Sequence, residues 1–181
     1  MKIKRYDEPW VHYIIDNVLP AALFKKLVDN VLEVPFKESK IGITYWHLDQ
    51  QPLLEGIRKV YFNKIFPVLV EDKVNGYKSL EEITSKAEQI HYSRHNPGFN
   101  QCIHLDRESK FISAVIYLQP VKDPTKELGT LLQKNDNYDE CHQLKWKPNR
   151  GICFRRSEKS WHSYRNPSTT DYRYTLNVNY G

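Results

Sequence analysis

Cysteine is scarce in this chain of 181 residues: only Cys102, Cys141 and Cys153 occur, and none belongs to a Cys-x-x-Cys pair. An odd, sparse set argues against a disulfide framework and against a four-cysteine zinc site. A cluster of Cys141, His142, Cys153 and His162 can be drawn, but its spacing is poor for zinc. Long apolar runs are missing too. No stretch approaches the roughly 20 apolar residues that a helix needs to cross a bilayer. The opening Met1-Lys2-Ile3-Lys4-Arg5-Tyr6-Asp7-Glu8 is not followed by the apolar core of a secretory signal. A soluble, cytoplasmic protein with no membrane contact is expected. There is no internal repeat and no low-complexity tract, and the length suits a single well-buried domain over 1–181.

The net charge of +5 is unevenly placed. Between His142 and Arg173 there are eight Lys or Arg against only Glu158 and Asp171, a local excess of 8 − 2 = 6 that accounts for the whole imbalance. Such a segment attracts an anionic co-substrate or an acidic partner such as nucleic acid, or else forms a solvated basic face. The expected division makes Arg173 a ligand-binding charge and most of the remainder surface.

Two textures divide the chain. Val11 to Ile15 reads as a strand. Leu19, Leu23, Leu27 or Val28, Val31 and Leu32 then recur at helical spacing, with Pro20 suited to the first turn. Leu53, Leu54, Ile57, Val60, Tyr61 and Ile65 mark a second amphipathic helix, disturbed near Pro67. A polar stretch over 72–88 with Asn75-Gly76 reads as a loop with a short helix at 80–86. From Ala87 onward short strand-like runs follow one another at 89–94, 111–119, 129–133, 143–146, 151–155, 161–164 and 172–180. Turn signals at Asn96-Pro97-Gly98, Gln119-Pro120, Asn149-Arg150-Gly151 and Asn166-Pro167-Ser168 separate them. The pattern predicts a mainly β fold with N-terminal helices: helical support and substrate-side elements over 1–86, and a sandwich or jelly roll over 87–181.

Within that β region, His104-Leu105-Asp106 is followed far downstream by His162 and then by Arg173. Two imidazoles and one carboxylate occupy one face of a metal ion and leave coordination sites open, the pattern of non-haem Fe(II) enzymes rather than of a closed zinc site. On a strand, positions 104 and 106 project from the same face, and a distant strand supplies position 162. Arg173, 173 − 162 = 11 residues beyond, suits the far arm of a hairpin beside the metal. His47-Leu48-Asp49 repeats the same tripeptide. It precedes a helix and lacks the flanking strands, so His47 and Asp49 are expected to be ordinary surface or substrate-cleft residues. His91 and His95 lie near the site in sequence; each is more simply a hydrogen-bonded histidine than a ligand, with His95 in the turn the better placed to touch substrate.

From about Gln89 to Tyr180 the order of motifs resembles the Fe(II)/2-oxoglutarate-dependent dioxygenases, and within them the prolyl-4-hydroxylase-like branch. The series runs Ile90-His91-Tyr92, Pro97-Gly98, His104-Leu105-Asp106, Val115-Ile116-Tyr117-Leu118, Leu128-Gly129-Thr130, Pro148, Gly151 to Phe154, Trp161-His162 and Arg173-Tyr174-Thr175. The resemblance implies a double-stranded β-helix, the cupin-like form of the jelly roll. It implies a dioxygenase that uses Fe(II), 2-oxoglutarate and O2 to hydroxylate an unactivated C–H, releasing succinate and CO2.

It also assigns roles. His104, Asp106 and His162 hold the metal. Arg173 grips the distal carboxylate of 2-oxoglutarate with its planar fork, helped by Thr175, where the family often has Ser, and by Tyr117 and Tyr92. The stretch between Tyr92 and His104 is longer than the nearest family pattern. The carboxylate of Asp106 favours hydroxylation over halogenation. Trp161 is expected to pack.

A prolyl residue of a peptide or protein is the leading substrate expectation, with a small molecule close behind. Loops at 41–51 and 122–127 are expected to set that choice. Nucleic-acid demethylation is less expected, because the second Arg of that branch is missing from Tyr174-Thr175-Leu176-Asn177-Val178-Asn179-Tyr180-Gly181. A catalytically silent jelly-roll binding module is the rival from another class.

Overall fold

A computed structural model describes residues 1–72, 77–118, 127–137 and 140–181. Helix α1 (Ala21–Glu33) starts just after Pro20, whose ring fixes φ and whose missing N–H is not needed there, and it buries Leu27 and Val31. Helix α2 (Gln51–Val60) begins with Pro52 in its first turn and buries Leu53, Leu54, Ile57 and Val60. It runs through a π-helical turn (Tyr61–Ile65) into α3 (Phe66–Glu71). The turn sits directly before Pro67, which cannot donate and crowds the carbonyl four residues back; the ladder widens so that the Phe66 N–H reaches Tyr61 O. Helix α4 (Leu80–Thr84) is capped by Ser79, whose hydroxyl accepts from Glu82 N at 3.2 Å.

The strands form two antiparallel sheets. The larger contains β1 (Lys2–Tyr6), β2 (His12–Asp16), β3 (Ile43–His47), β4 (Glu88–His95), β6 (Ile112–Leu118), β9 (Arg150–Arg155) and β11 (Arg173–Tyr180), in the order β1-β2-β9-β6-β11-β4-β3. The smaller contains β5 (Asn100–His104), β7 (Leu131–Gln133), β8 (Cys141–Gln143) and β10 (His162–Arg165), in the order β5-β10-β7-β8.

Alternation along the large sheet decides what each face does. Ile90, Tyr92, Ile116, Leu118, Leu176 and Val178 point one way and join Leu27, Ile57 and Phe66 of the helices in the main core. Complete burial of a side chain such as Ile57 or Phe66 contributes about 1.5–3 kcal/mol. The intervening residues point at the small sheet. There Trp10, Leu132, Leu144, Ile152 and Phe154 form an apolar filling, and His91, Ser93, Arg173 and Asn177 line a cavity.

Several expectations need correction. The first 86 residues are more than helical support: β1 and β2 extend one edge of the large sheet and β3 forms the other. The loop expected over 41–51 contains β3, whose exposed Tyr45 and Trp46 look like a surface segment until its pairing with β4 is seen. The strand expected at 143–146 lies earlier, at Cys141–Gln143; Leu144 instead donates its N–H to Thr130 O. Asn75-Gly76, Gln119-Pro120 and the 122–126 part of the expected selectivity loop lie outside the described residues. No helix among the described residues is long and apolar enough to cross a membrane.

Candidate metal centre and anion pocket

Strands β5 and β10 pair antiparallel with His104 directly opposite His162. Cross-strand neighbours share a face, so the two rings meet with centroids 4.3 Å apart. Asp106 is not on the strand with His104, as its two-residue spacing predicted. Strand β5 ends at His104, and the chain then turns at residues 107–110, closed by Lys110 N donating to Arg107 O at 2.9 Å. The carboxylate is brought back by that turn and by β6: Lys110 Nζ donates to Oδ1 at 2.7 Å and Ser113 Oγ donates to Oδ2 at 2.5 Å. His162 Nε2 lies 4.0 Å from Asp106 Oδ2, and one donor atom from each of His104, Asp106 and His162 falls within 4.8 Å of the others. This is the sole His/Cys/Asp/Glu group of that kind among the described residues, so the drawn Cys141, His142, Cys153 and His162 cluster does not form. Cys141 is exposed, and Cys153 is buried with its thiol pushed up to about 12.

Both histidines are held in the tautomer a metal requires. His104 Nδ1 donates to Cys102 O and His162 Nδ1 donates to Ser160 O, each at 2.9 Å, which turns both Nε2 lone pairs toward Asp106. Gln101 Nε2 lies 3.2 Å from His104 Nε2 and donates to it. Burial, with a smaller push from His104, depresses His162 to about 4 despite the opposing pull of Asp106. Burial alone would raise Asp106, but His162, Lys110 and Ser113 together outweigh it and hold the carboxyl below its usual range. Near neutral pH the ligand set is one carboxylate and a neutral His162, with His104 placed to offer Nε2. Two imidazole nitrogens and one carboxylate on one side of a point fit a divalent ion of the iron, manganese or nickel kind with open positions.

Arg173 enters from the opposite sheet. The expected hairpin beside His162 is not found, because β10 belongs to the small sheet whereas β11 is central in the large one. The residue is 4% exposed, and its guanidinium has no carboxylate partner among the described residues. Nε donates to Leu128 O at 2.9 Å, Nη2 reaches Thr130 Oγ1 at 3.4 Å, and Nη1 lies 3.3 Å from His95 Nδ1. The charge rests 3.8 Å over the Tyr164 ring, with Tyr117 and Trp146 at 5.6 and 5.5 Å. Aromatic faces offset part of the cost of burying a cation but cannot replace a counter-ion. Gly129 makes this floor possible: a Cβ there would lie 1.6 Å from Leu144 O, so only glycine lets Leu128 and Thr130 approach as they do. Burial, then Arg173, holds His95 well below the ordinary histidine range, so it faces the guanidinium as a neutral ring. The Tyr164 hydroxyl is buried with no hydrogen-bond partner among the described residues and lines the same cavity.

The cavity of about 110 Å³ includes His104, Asp106, His162 and Arg173. Thr175 shares the inward face with Arg173 but is fully buried, accepting from Asn177 Nδ2 at 3.3 Å. Tyr117 sits behind Arg173: its hydroxyl donates to Thr130 Oγ1 and accepts from Thr130 N, both at 3.0 Å, and its ring stacks on Trp146. Tyr92 is not with them. It lies one residue out of phase with His91 and Ser93, so it points at α1, where its hydroxyl donates to Asn30 Oδ1 at 2.9 Å. Burial raises its pKa there. It cannot serve as a co-substrate ligand. His95 is no turn residue either, but the buried end of β4. His47 closes β3 and lines an outer cavity, whereas Asp49 is exposed and joins no ligand group. Trp161 is half-buried, and its backbone carbonyl accepts from Trp10 Nε1 at 3.2 Å.

Gln101, Lys110, Ser113, Tyr164, Asn177 and Asn179 also line the cavity and were not singled out in the sequence. A signal existed for two of them. Arg173, Thr175, Asn177 and Asn179 alternate with buried Leu176 and Val178, a polar row with period 2 that marks a wet inner face.

No protein-family model matches the chain, and no curated protein matches it by sequence. Solved structures do. A Pseudomonas putida prolyl-4-hydroxylase superimposes with a TM-score of 0.65 at 15% identity, over 93% of this chain and 91% of that one. A Trichoplax adhaerens prolyl hydroxylase, in complex with a hypoxia inducible factor oxygen degradation domain peptide fragment, gives 0.65 at 14% identity over 93% and 82%. HygX from Streptomyces hygroscopicus, with nickel, 2-oxoglutarate and hygromycin B bound, gives 0.63 at 8% over 94% and 82%. At these identities the likeness establishes the fold.

Proposed function

We propose that the chain, as one domain over 1–181, is an Fe(II)- and 2-oxoglutarate-dependent dioxygenase that hydroxylates an unactivated C–H. One observation carries the reading: a His-Asp-His face and a buried guanidinium without a counter-ion look into a single cavity from opposite sheets. An anionic chelator that binds a metal at one end and a cation at the other answers both needs. 2-Oxoglutarate has that form. Bound Fe(II), 2-oxoglutarate and O2 supply the oxidising chemistry, with succinate and CO2 as the co-products.

The chain's own residues do the positioning. His104 Nε2, His162 Nε2 and one Asp106 oxygen hold the metal, with Lys110 and Ser113 fixing the carboxylate. Arg173 takes the distal carboxylate of 2-oxoglutarate as the charge-bearing group. The orphaned Tyr164 hydroxyl donates to the same anion, and Thr130 shares its hydroxyl with Tyr117 and Arg173. Thr175 and Tyr117 support this end from behind, a role reduced from direct contact. The filling of Trp10, Leu132 and Phe154 keeps bulk water from one side of the cavity.

For the substrate, a prolyl residue of a peptide and a small molecule are the two readings the neighbours support, since one of them holds a peptide and another hygromycin B. Of the basic residues downstream of His142, Arg150 pairs with Asp16, Arg156 pairs with Glu158, and Arg173 is buried. The test is succinate formation from 2-oxoglutarate by the purified protein with Fe(II) and O2, with and without proline-containing peptides. Turnover lost on removing Fe(II) supports the reading. No turnover and no metal binding would leave a silent jelly-roll module.

A further inference from the structure

Each sheet ends in two strands with a neighbour on one side only, and a bare edge invites another strand unless something blunts it. Three of the four edges are blunted. Strand β1 has Lys2, Lys4 and Arg5 among its five residues, and β8 is only three residues long. Strand β5 is bent by a bulge, the three steps from Gln101 to His104 opposing the two from His162 to Tyr164. Strand β3, Ile43-Thr44-Tyr45-Trp46-His47, has no Lys, Arg, Asp, Glu or Pro, pairs with β4 without a register shift, and is exposed from Tyr45 to His47.

Register decides which main-chain groups of β3 are open. Leu48 N donates to Ile90 O and Asn96 N donates to Gly42 O, so the even-numbered residues bond to β4. Ile43, Tyr45 and His47 turn their N–H and C=O outward, where none has a partner among the described residues. The side chains of the same three residues point toward the small sheet. Ile43 and Tyr45 line the metal cavity, and Tyr45 and His47 line the outer cavity of about 390 Å³ beside it. His104 lies on β5, the edge of the small sheet, so the two open edges share one cavity.

We infer that the edge of β3 docks the substrate, and that the substrate is an extended polypeptide segment added to β3 as a further, parallel strand. Resting on the dioxygenase reading, this selects a peptide over a small molecule for the same site. Opposed residues on adjoining strands share a face, so the peptide residue opposite Tyr45 looks toward the cavity as Tyr45 does. In a parallel ladder that residue turns its own N–H and C=O away, and its two neighbours make the bonds to Tyr45. A proline there loses no hydrogen bond, whereas in an antiparallel ladder it would lose one. Peptide residues opposite Thr44 and Trp46 fall on the other face, where the exposed Trp46 ring offers contact to a β-branched or aromatic side chain. A second copy does not fit this edge in the same way: it would present its own residues 43, 45 and 47, which already line its own cavities.

The experiment is amide hydrogen exchange by NMR on protein holding Zn(II), a diamagnetic stand-in, and saturating 2-oxoglutarate. The probes are pooled nonapeptides with a central proline and Thr, Val, Ser or Tyr elsewhere. They should slow exchange at Ile43, Tyr45 and His47 by tenfold or more and leave Thr44 and Trp46, already bonded to β4, unchanged. N-methylation one and three places after the proline should abolish the effect, because those N–H groups face β3; N-methylation two and four places after it should not. Tyr45→Pro removes an outward N–H and no bond to β4, so it should weaken peptide binding tenfold or more while Zn(II) and 2-oxoglutarate affinities hold. If that variant misfolds, the wild-type exchange pattern and the N-methyl series still decide. No protection at the three amides with millimolar peptide, loss confined to N-methylation at the even places, or a dimer in sedimentation whose edge amides are protected without peptide overturns the inference. Failure of the dioxygenase reading shows differently: wild type then binds neither metal nor 2-oxoglutarate, and exchange along β3 can still be read on the unloaded protein.

Discussion

Replacing Arg173 with Met keeps the bulk of the side chain and removes its charge. In the ligand-free protein this deletes a buried cation compensated by one carbonyl at 2.9 Å, weaker contacts to Thr130 and His95, and the rings of Tyr164, Tyr117 and Trp146. Removing an unmatched buried charge is close to neutral or stabilising, so the unliganded melting temperature should hold or rise. With 2-oxoglutarate the sign reverses. A charge-assisted contact contributes about 1.5–3 kcal/mol, so the dissociation constant should rise about 10- to 100-fold. Ligand at a hundred times its dissociation constant stabilises a protein by about 2.7 kcal/mol. For a chain of this size that is a shift of about 5–10 °C, given roughly 2–4 °C per kcal/mol. Thermal melting with Mn(II), with and without 2-oxoglutarate, reads both effects without turnover. The wild type should show the shift and Arg173→Met should show little of it. An equal shift in both proteins, or a ligand-free melting temperature that drops by several degrees in the variant, would mean that Arg173 is a structural residue.

His104→Ala, Asp106→Ala and His162→Ala should each weaken Mn(II) binding by at least tenfold, while His47→Ala leaves it unchanged; loss of metal in the His47 variant would transfer the assignment to the earlier tripeptide. Tyr92→Phe should cost about 1 kcal/mol of stability, because it breaks the bond to Asn30, and should leave 2-oxoglutarate affinity as it was; a clear loss of affinity in calorimetry would return Tyr92 to the site. Burial, then His47 and Lys110, depresses His91 from 6.5 to about 4. The unfolded chain therefore binds the extra proton first, and stability is complete above pH 6.5 and falls as pH drops toward 4, by about 2 kcal/mol at pH 5 for this group. Denaturant melts of the chelated protein from pH 7 to 5 should show the fall, and His91→Gln should reduce it by about that amount, the depressed His95 and His162 supplying the rest; a wild-type midpoint that does not move would refute the protonation argument.

Much of this architecture was legible because period and punctuation agreed. The apolar stripe from Leu19 to Leu32 became α1, and the disturbance expected near Pro67 is the π-helical turn. His104, Asp106 and His162 were readable as a set because ligand chemistry limits the choices, and the fold brings them together, but their support was not readable. That Asp106 leaves the strand and is carried back by a four-residue turn depends on tertiary closure, for which Arg107 to Lys110 hold no local signal. Tyr92 went wrong by a single step of register. On a two-sided buried strand both faces hold large residues, so motif order alone could not say which face Tyr92 shared with Arg173; pairing with β11 decides it. Strand β3 was missed because an edge strand with exposed aromatics has only one buried neighbour to shape its sequence.

The candidate metal ligands His104 and His162 belong to the small sheet, and Arg173 to the large one. A molecule that chelates at one end and meets the guanidinium at the other is therefore a rivet between two layers, added to the ties of Tyr117 to Thr130 and Ser113 to Asp106. Its arrival should slow amide exchange across β5 and β10, which are only five and four residues long. The co-substrate would become for a time a piece of the scaffold.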